Sequence, residues 1–395
     1  MNPLENIKIL DLSRVLAGPY CTMILSDLGA EVIKVEIPGT GDDSRSFGPF
    51  KNGQSLYFLS INREKKSISL NLKTKRGKEI LKELITKVDV VIENYRPGTM
   101  EKLGLGYDEL KSVNPQIIYA ASSGYGHTGP DSSKASYDIL AQAMGGVMSI
   151  TGWPDSPPTR VGMSLGDITA SLYTAIGILA ALHERTTTGF GQKVDIAMLD
   201  CQVSILENAI TRYQVEDKSP EPLGNRHPTI TPFQAYRASD DYFVIAAGND
   251  ALWVKLCEVI DRPDLATNHN FSTNKNRTHH IKELNEELDK TIRTRTAGEW
   301  IQIIDKAGIP CGPINTIDKI MADKQILSRN MIVEVDDAKA GRIKIAGNPI
   351  KMSSIAEKPY RRPAPEIGEN NLEIYSGLLG LSSEEIDQLK VNGVI

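Results

Sequence analysis

A single carboxylate at the predicted start of a helix is the residue best placed to do chemistry. Residues 162–170 read GMSLGDITA, so Asp167 directly follows Gly166. Apolar residues recur with helical spacing over 168–183, which predicts a helix there. An aspartate at this position is typical of a helix N-cap. It also suits a nucleophile, because a helix N-terminus keeps a carboxylate ionised and the glycine lets a substrate approach closely.

The N-terminal region has the element order of a dinucleotide-binding unit but not its key residues. Strand, turn, helix and strand are predicted in succession over residues 7–36, and Glu36 lies where a ribose-binding acid would. The turn reads A-G-P rather than G-x-G-x-x-G, and Pro19 removes an amide that a pyrophosphate would need. A nicotinamide enzyme is therefore not predicted.

The cysteines and histidines do not form a metal-binding pattern. The four cysteines occur singly, without a C-x-x-C pair, which is typical of reduced and buried small hydrophobes: Cys21, Cys201, Cys257 and Cys311. His279 and His280 are adjacent, so on a helix they point about 100° apart and do not share a face. No metal site is predicted.

The composition restricts the class of protein. A chain of 395 residues with 40% apolar and 24% charged residues is typical of a soluble globular protein with two domains. A net charge of -5 argues against nucleic acid as a partner. No run approaches the roughly 18 uninterrupted apolar residues of a membrane span, so no membrane partner is expected. The opening sequence MNPLENIKILDL lacks a signal pattern, and we expect a cytoplasmic protein.

Short apolar runs alternate with amphipathic runs through the first part of the chain. Helices are predicted at 20–28 and 73–87, between strands at 7–12, 31–36, 67–72, 88–92 and 116–121. This alternation predicts an α/β fold with a Rossmann-like, doubly wound parallel sheet.

The chain changes character after the helix that follows Asp167. A strand is predicted at 193–197, and four prolines between 215 and 232 indicate a domain boundary. The remaining predictions are a hairpin with its turn at 239–241, helices at 282–293 and 298–307, strands within 331–352, and a final helix at 382–391.

A series of sequence blocks, in order along nearly the whole chain, resembles the class III CoA-transferase family. The blocks are RVLAGPYCTMILSDLGAEVIKVEIPGTGDDSR, LNLKTKRGKEIL, DVVIENYRPG, IIYAASSGYGHTGP, YDILAQAMGG, GDITA, AAGNDALW and AGIPCGP. The family includes formyl-CoA transferase, carnitine CoA-transferase and the α-methylacyl-CoA racemases. The resemblance implies a large CoA-binding domain built from residues 1–218 and 331–395, an inserted smaller α+β domain at 219–330, and an interlocked homodimer.

The resemblance also implies the site residues. Asp167 matches the aspartate that attacks the acyl-CoA thioester, so that the reaction passes through covalent aspartyl intermediates. Coenzyme A, which is a substrate rather than a tightly bound cofactor, is expected to contact Val15, Leu70, Lys73, Asn94, Tyr95, Lys102 and Leu103. The two lysines can neutralise phosphates, although read alone they are typical of a solvated surface. Ile37 and Lys102 stand where formyl-CoA transferase has arginine, so the resemblance does not define the details of adenine and phosphate binding.

One block decides between a transferase and a racemase. The racemases have a G-H-D block, whereas this chain has Ser136-Tyr137-Asp138. Racemisation needs two acid/base groups that titrate near neutrality, and a tyrosine phenol is too weak an acid for that role. His127 lies in the GYGHTGP segment and is interpreted as a surface or loop residue. A CoA-transferase is therefore predicted, with a racemase or a non-catalytic CoA-binding dimer as the alternatives.

Two further features bear on the acyl substrate. The family's glycine-rich lid matches residues 246–250, where only Gly248 is glycine and Asn249 follows it. Backbone amides near Gly166 or Gly248 are candidates for holding the oxyanion. Arg160 lies in a block similar to members that use dicarboxylates, and it can pair with a distal carboxylate or make a structural ion pair. The predicted substrates are an acyl-CoA and a carboxylic acid, with a dicarboxylic acid such as succinate as the specific hypothesis.

Overall fold

The computed structural model describes residues 2–395, which form an α/β protein. The strands are β1 (Lys8–Asp11), β2 (Glu31–Glu36), β3 (Phe50–Lys51), β4 (Gln54–Ser55), β5 (Lys66–Ser69), β6 (Val90–Glu93), β7 (Ile118–Ser123), β8 (Lys193–Ala197), β9 (Phe233–Arg237), β10 (Tyr242–Ala246), β11 (Cys311–Pro313), β12 (Ile332–Asp337), β13 (Gly341–Ala346) and β14 (Tyr360–Arg361). A short 3-10 helix covers Asp43–Ser46.

The α-helices occur between and after these strands. They are α1 (Ala17–Asp27), α2 (Leu56–Asn62), α3 (Lys75–Ile85), α4 (Thr99–Leu103), α5 (Tyr107–Val113), α6 (Asp138–Met144), α7 (Val147–Ile150), α8 (Leu165–Thr188), α9 (Met198–Ser204), α10 (Ala209–Glu216), α11 (Asp250–Val259), α12 (Pro263–Thr267), α13 (Asn274–His279), α14 (Ile281–Ile292), α15 (Ala297–Lys306), α16 (Ile317–Ala322), α17 (Lys324–Ser328), α18 (Asn371–Leu379) and α19 (Ser383–Val391).

Six parallel strands form the main sheet, in the order β5-β2-β1-β6-β7-β8. Central β1 pairs with β2 on one side, where Ile9 lies opposite Val32, and with β6 on the other, where Ile9 lies opposite Val90. These strands are short and rich in apolar residues, as expected for a parallel sheet that is buried on both faces. The prediction of an α/β fold with a large parallel sheet is confirmed.

Helices cover both faces of this sheet. Side chains alternate along a strand, so Leu10 and Ile33 enter one core with α3, α5, α18 and α19, whereas Ile9 and Val32 enter a second core with α1 and α8. The C-terminal helices therefore pack on the same sheet as the N-terminal strands. This is the doubly wound arrangement that the alternating pattern predicts.

The chain divides into two compact units. The first contains the main sheet and comprises the residues up to Val147 together with Arg160–Thr211 and Lys324–Ile395. The second comprises Met148–Thr159 and Arg212–Asp323. The sequence analysis set the inserted domain at 219–330 and assigned no part of 148–159 to it.

The second unit is built on a small antiparallel sheet, in the order β11-β10-β9. Its helices pack their apolar faces together around Trp253, Leu288 and Trp300. Helix α15 begins with a capping box in which Thr296 and Glu299 bond each other's backbone amides. Helices α14 and α15 begin and end one residue before the predicted bounds.

Helix α8 carries Asp167 in its first turn. It is long and apolar enough, by length and composition alone, to cross a membrane. Its inner face packs on the sheet through Ala175 and Ile178, and Ser171 Oγ donates a 2.6 Å hydrogen bond to the carbonyl oxygen of Ala17 at the start of α1. The helix begins three residues before the predicted start at 168 and ends at Gly189, which has a left-handed φ of 73°.

Candidate active site

Asp167 lies in the first turn of α8, with a carboxylate that is partly open to solvent. The N-cap is Ser164, so Asp167 is the third residue of the helix and the interpretation as an N-cap is wrong. Within residues 2–395, no group donates a hydrogen bond to this carboxylate. Burial and then the negative charge of Asp138 raise the pKa of Asp167 to about 7. Burial and Asp138 thus oppose the ionisation that a helix N-terminus favours, and the expectation that the helix keeps Asp167 ionised stays a prediction.

Asp138 organises the start of α8. Its Oδ1 accepts a 2.7 Å hydrogen bond from the Gly166 amide, and Gln142 Nε2 donates to its Oδ2 at 2.9 Å. The Gly166 amide is thereby engaged, which removes it from the candidates for holding an oxyanion. Sequence reasoning treated Asp138 only as part of a block. The available signal was the acid and amide pair at i and i+4, residues 138 and 142, at the start of α6.

Two more residues of the predicted set adjoin Asp138. Arg160 Nη2 lies 3.2 Å from Asp138 Oδ2 and donates at 3.1 Å to the Met163 carbonyl oxygen. Its Nη1 and Nε make no hydrogen bond to the part of the chain that the structure describes. Tyr137 is the N-cap residue of α6, and 77% of its surface is exposed.

Tyr57 was missed by the sequence analysis. It lies on α2, half-buried, and its aromatic ring makes an edge contact with Phe47. Burial and then the charge of Asp167 raise the pKa of its phenol to about 12. The phenol therefore remains a neutral hydrogen-bond donor near the Asp167 carboxylate. No sequence motif marked this position.

The predicted CoA contacts follow three strands of the main sheet. Carboxyl ends of parallel strands meet at one edge of a sheet, and this edge carries the residues after β1, β5 and β6: Val15, Leu70, Lys73, Asn94, Tyr95, Lys102 and Leu103. Leu70 is buried, and Tyr95 and Leu103 pack against the same core. Lys73 and Lys102 are exposed, as phosphate-binding lysines must be.

Asn94 has a structural function that the sequence did not reveal. Its Oδ1 accepts a hydrogen bond from the Arg14 amide and its Nδ2 donates to the Arg14 carbonyl oxygen, both at 2.8 Å. Both ends of the side-chain amide are therefore engaged by the turn after β1. In that turn Val15 has a left-handed φ of 66°, and its amide donates to Asp42 Oδ1 at 3.1 Å.

Buried ion pairs hold this edge together. Lys34 Nζ lies 2.7 Å from Asp42 Oδ2 and donates to the Ser13 carbonyl oxygen at 2.9 Å. Burial alone would raise the pKa of Asp42, but Lys34 and the hydrogen bonds from Ser44 lower it to about 2. Glu36 accepts two 2.7 Å hydrogen bonds from Arg45, so the acid that a dinucleotide ribose would need is already occupied.

His127 lies in the loop after β7, as one half of the sequence interpretation had it, but it is not a surface residue, which corrects the other half. Only 8% of its side chain is exposed, and its Nδ1 lies 2.9 Å from Lys193 Nζ. Its Nε2 lies 3.7 Å from Oε1 of Glu93, a buried residue that also accepts a 2.7 Å hydrogen bond from the Tyr95 amide. Burial raises the pKa of Glu93 to about 7.

The residues predicted for the lid lie in the second unit, between β10 and α11. Asn249 is the N-cap of α11, and its Oδ1 accepts a 2.9 Å hydrogen bond from the Leu252 amide. A side chain at Gly248 would meet nothing within 4 Å. Their role in closing the site stays a prediction.

Metal ligands do not cluster in the part of the chain that the structure describes. Residues 2–395 contain no group of three or more His, Cys, Asp or Glu side chains able to hold an ion. Cys21, Cys201 and Cys257 are buried, and Cys311 is partly buried. The absence of a tightly bound cofactor stays an expectation.

Comparison with known proteins decides the family. The model of CoA-transferase family III matches residues 4–371. The chain belongs to CoA-transferase family III. It is 43% identical to acetyl-CoA:oxalate CoA-transferase of Acetobacter aceti, over 93% of each chain. It is 39% identical to succinyl-CoA:glutarate CoA-transferase of Homo sapiens, over 100% of this chain and 90% of the human one.

Solved structures agree with this assignment. A CAIB/BAIF family protein from Brucella suis is 38% identical, with a TM-score of 0.83, over 96% of this chain and 100% of its own. Rv3272 from Mycobacterium tuberculosis is 33% identical, with a TM-score of 0.84, over 94% of this chain and 98% of its own. The prediction of a CoA-transferase, which moves coenzyme A between an acyl-CoA and a carboxylic acid, is confirmed.

Proposed function

We propose that this CoA-transferase acts through Asp167 as a covalent nucleophile, with dicarboxylic acids as its acyl groups. The observation that carries the proposal is the state of the Asp167 carboxylate. It is partly open to solvent, receives no hydrogen bond from the described residues, and has a pKa raised to about 7. A carboxylate without donors to stabilise its charge is more basic and more nucleophilic than a solvated one.

The first half of the reaction transfers the acyl group and then the carrier. An Asp167 carboxylate oxygen attacks the thioester carbonyl carbon, a C–O bond forms, the C–S bond breaks, and the products are a mixed anhydride and CoA thiolate. The thiolate then attacks the aspartyl carbonyl carbon of the anhydride. A new C–S bond forms, the donor acid leaves as its carboxylate, and Asp167 carries coenzyme A as a thioester.

The second half repeats these steps in reverse with the acceptor acid. Its carboxylate attacks the aspartyl thioester and releases CoA thiolate, which leaves an anhydride between the acceptor and Asp167. The thiolate attacks the acceptor carbonyl carbon, and the acceptor acyl-CoA departs from a restored Asp167 carboxylate. Every intermediate hydrolyses readily, so the site must exclude water while it is occupied.

Support for dicarboxylic acids comes from the relatives and from Arg160. The two relatives named above act on oxalate and on succinate and glutarate, according to their names. Arg160 is half-exposed and is anchored through Nη2 alone, so its remaining donors are available to a distal carboxylate. Succinyl-CoA and acetyl-CoA should be compared as donors with wild type and Arg160→Ala. A loss confined to succinyl-CoA supports the proposal, and equal losses contradict it.

We also propose that the protein is an interlocked homodimer. Large apolar side chains of α6, α8 and α9 are exposed on the first unit: Ile139, Leu140, Met144, Leu172, Ile176 and Val203. An exposed apolar face of this kind is typical of a subunit interface. Light scattering should give twice the chain mass for the wild type. A stable, active monomer would contradict the proposal.

Trapping of the covalent intermediate tests the nucleophile directly. The protein is incubated with an acyl-CoA panel, quenched with hydroxylamine or borohydride, and examined as the intact chain and as peptides by mass spectrometry. We expect a modification on Asp167 that Asp167→Ala abolishes. Asp200→Asn is the matched control, because Asp200 is an exposed acid in the first turn of α9. Turnover by the folded wild type without any label on Asp167 would contradict covalent catalysis at this residue.

A further inference from the structure

We propose that Arg14 binds a phosphate group of the acyl-CoA and that Asp43 holds its guanidinium until the substrate arrives. The inference rests on the proposed placement of coenzyme A at the carboxyl edge of the main sheet. Arg14 was not among the residues that the sequence singled out. It is a binding residue rather than a catalytic one, since it is assigned to the carrier and not to the reacting carbonyl.

The backbone of Arg14 is fixed in place. Asn94, at the end of β6, bonds both its amide and its carbonyl oxygen at 2.8 Å. The next residue, Val15, has a left-handed φ and is tied to Asp42. Arg14 therefore connects the carboxyl ends of β1 and β6 in the middle of the sheet, and its position does not depend on its side chain.

The guanidinium of Arg14 is oriented but not buried. Its Cζ lies 5.5 Å from the centre of the Tyr95 ring, and the side chain is 42% exposed. Nη1 lies 3.0 Å from Asp43 Oδ2, and Asp43 is itself 54% exposed. An ion pair this open to water contributes little, so a phosphate that offers two oxygens in the plane of the guanidinium can displace the single carboxylate contact.

Three other cations near the turn after β1 are already committed to ion pairs. Lys34 is paired with Asp42, Lys65 with Asp11, and Arg45 with Glu36, and all three lie in buried or nearly buried pairs. A small recess opens among these groups, lined by Ser13, Arg14, Lys34, Glu36, Asp42 and Tyr95. Of the two cations in that lining, Arg14 alone is exposed, and so it is the one able to receive an anion from solution.

The experiment compares succinyl thioesters of intact coenzyme A with those of shortened forms of it. Steady-state KM and kcat are measured with succinyl-CoA, succinyl-dephospho-CoA and succinyl-pantetheine for the wild type, Arg14→Gln, Arg14→Lys and Asp43→Asn. The matched control pair is Arg342→Gln and Asp336→Asn, because these residues form an exposed ion pair of the same 3.0 Å length on β12 and β13.

Arg14→Gln should raise KM for succinyl-CoA about 10- to 30-fold and change kcat less than about threefold, since a charged hydrogen bond to the bound carrier is lost. KM for succinyl-pantetheine should not change. Arg14→Lys should recover part of the affinity, and Asp43→Asn should lower KM about twofold by removing the competing carboxylate. If the KM increase caused by Arg14→Gln disappears with succinyl-dephospho-CoA, Arg14 binds the phosphate that this carrier lacks. If the increase persists with that carrier, Arg14 binds the diphosphate.

Equal KM increases on the CoA and pantetheine thioesters would overturn the proposal, because the loss would then come from a displaced loop. An unchanged KM for succinyl-CoA would overturn it as well. Calorimetric titration of Asp167→Asn with coenzyme A, with and without Arg14→Gln, separates this inference from the catalytic proposal. It measures the affinity for the carrier without any turnover, so Arg14 can be confirmed or excluded even if Asp167 proves not to be the nucleophile.

Discussion

Asp42 is buried and Asp167 is partly buried in the first unit, and the protein treats their charges in opposite ways. Burial would raise the pKa of each carboxyl group. At Asp42, the Lys34 ammonium and the donors of Ser44 outweigh burial and lower the pKa to about 2. At Asp167 the described residues supply no hydrogen-bond donor, the nearby Asp138 adds a like charge, and the pKa rises to about 7.

The difference separates an acid that stabilises the fold from an acid that is proposed to react with the substrate. Asp42 accepts hydrogen bonds through Oδ1 and pairs with Lys34 through Oδ2, and it fixes the turn around Val15, where any uncompensated charge would cost stability. Asp167 receives no hydrogen bond from the described residues, which fits the proposed nucleophile, because a nucleophile must keep its electron pairs for the substrate. An aspartate thus stabilises the folded protein at position 42 and destabilises it at position 167. Substituting each acid by its neutral amide tests this contrast.

Asp167→Asn should have the largest effect, a loss of activity of at least about 1000-fold, because it removes the nucleophile. It should also stabilise the protein at pH 8. The folded pKa of Asp167 lies above that of an unfolded chain, so the wild type loses stability as the pH rises from about 4 through 7. We expect a gain of about 2 kcal/mol at pH 8, reduced from the full shift by partial exposure, and none at pH 4.

Urea unfolding at the two pH values measures this gain, and Asp200→Asn is the control for an exposed helix acid. A variant that lost activity and stability together would indicate that Asp167 supports the fold, and the contrast with Asp42 would then fail.

Asp42→Asn should instead lower the free energy of unfolding. It leaves the buried Lys34 ammonium without its counter-charge, and we expect a loss of about 3 kcal/mol in the free energy of unfolding at pH 7. The stabilisation by Asp42 is present above the unfolded pKa and is lost as the pH falls through about 2. The deficit of the variant should therefore shrink between about pH 4 and pH 2.

Urea unfolding across this range is the measurement. Glu31→Gln is the matched control, because Glu31 pairs with Lys8 and Lys66 at the more exposed side of the same sheet and should cost only about 1 kcal/mol or less. A similar loss for both variants would show that burial does not distinguish them.

The strands and site residues around these two acids could be predicted from the sequence to different degrees. The bounds of β2 and β8 match the prediction, because runs such as EVIKVE and KVDIA carry local strand preference. Asp167 was found because a glycine and a helical repeat flank it. Asp138 was not, because its contact with Gly166 joins residues 28 positions apart and no local pattern records it.

The buried ion pairs escaped prediction for the same reason. Lys34 and Asp42 lie on β2 and in the loop after it, and only the folded loop brings them to 2.7 Å. The sequence predicts a surface or loop position for His127, because its neighbours in sequence are glycines and polar residues, and it does not reveal that the side chain is buried. Lys193 and Glu93, which bury it, belong to other strands of the sheet.

Asp138→Asn should produce a smaller and more specific change. The like charge that raises the pKa of Asp167 disappears, while the amide oxygen can still accept from the Gly166 amide. For the wild type we expect kcat/KM to fall with decreasing pH below about 7, as Asp167 takes up a proton. The variant should shift this acid limb about 0.5 to 1 pH unit lower. A limb that stays in place or moves upward would contradict the proposed influence of Asp138.

Glu93→Gln should have the smallest effect on activity. Burial raises the pKa of Glu93 to about 7, as for Asp167, but Glu93 accepts hydrogen bonds from the Tyr95 amide and the Tyr119 hydroxyl. The amide can replace the protonated acid, so kcat should change less than about threefold. Because ionisation of the folded wild type costs free energy between about pH 4.5 and 7, the variant should be more stable at pH 8 by about 1 kcal/mol.

Activity assays and urea unfolding at pH 5 and 8 test both statements. A loss of activity as large as that of Asp167→Asn would mean that a raised pKa, wherever it occurs in this unit, marks a catalytic group. A small loss together with the gain in stability would show that a raised pKa is not enough. What distinguishes Asp167 would then be the combination of a raised pKa, access to solvent and a carboxylate left without hydrogen-bond donors.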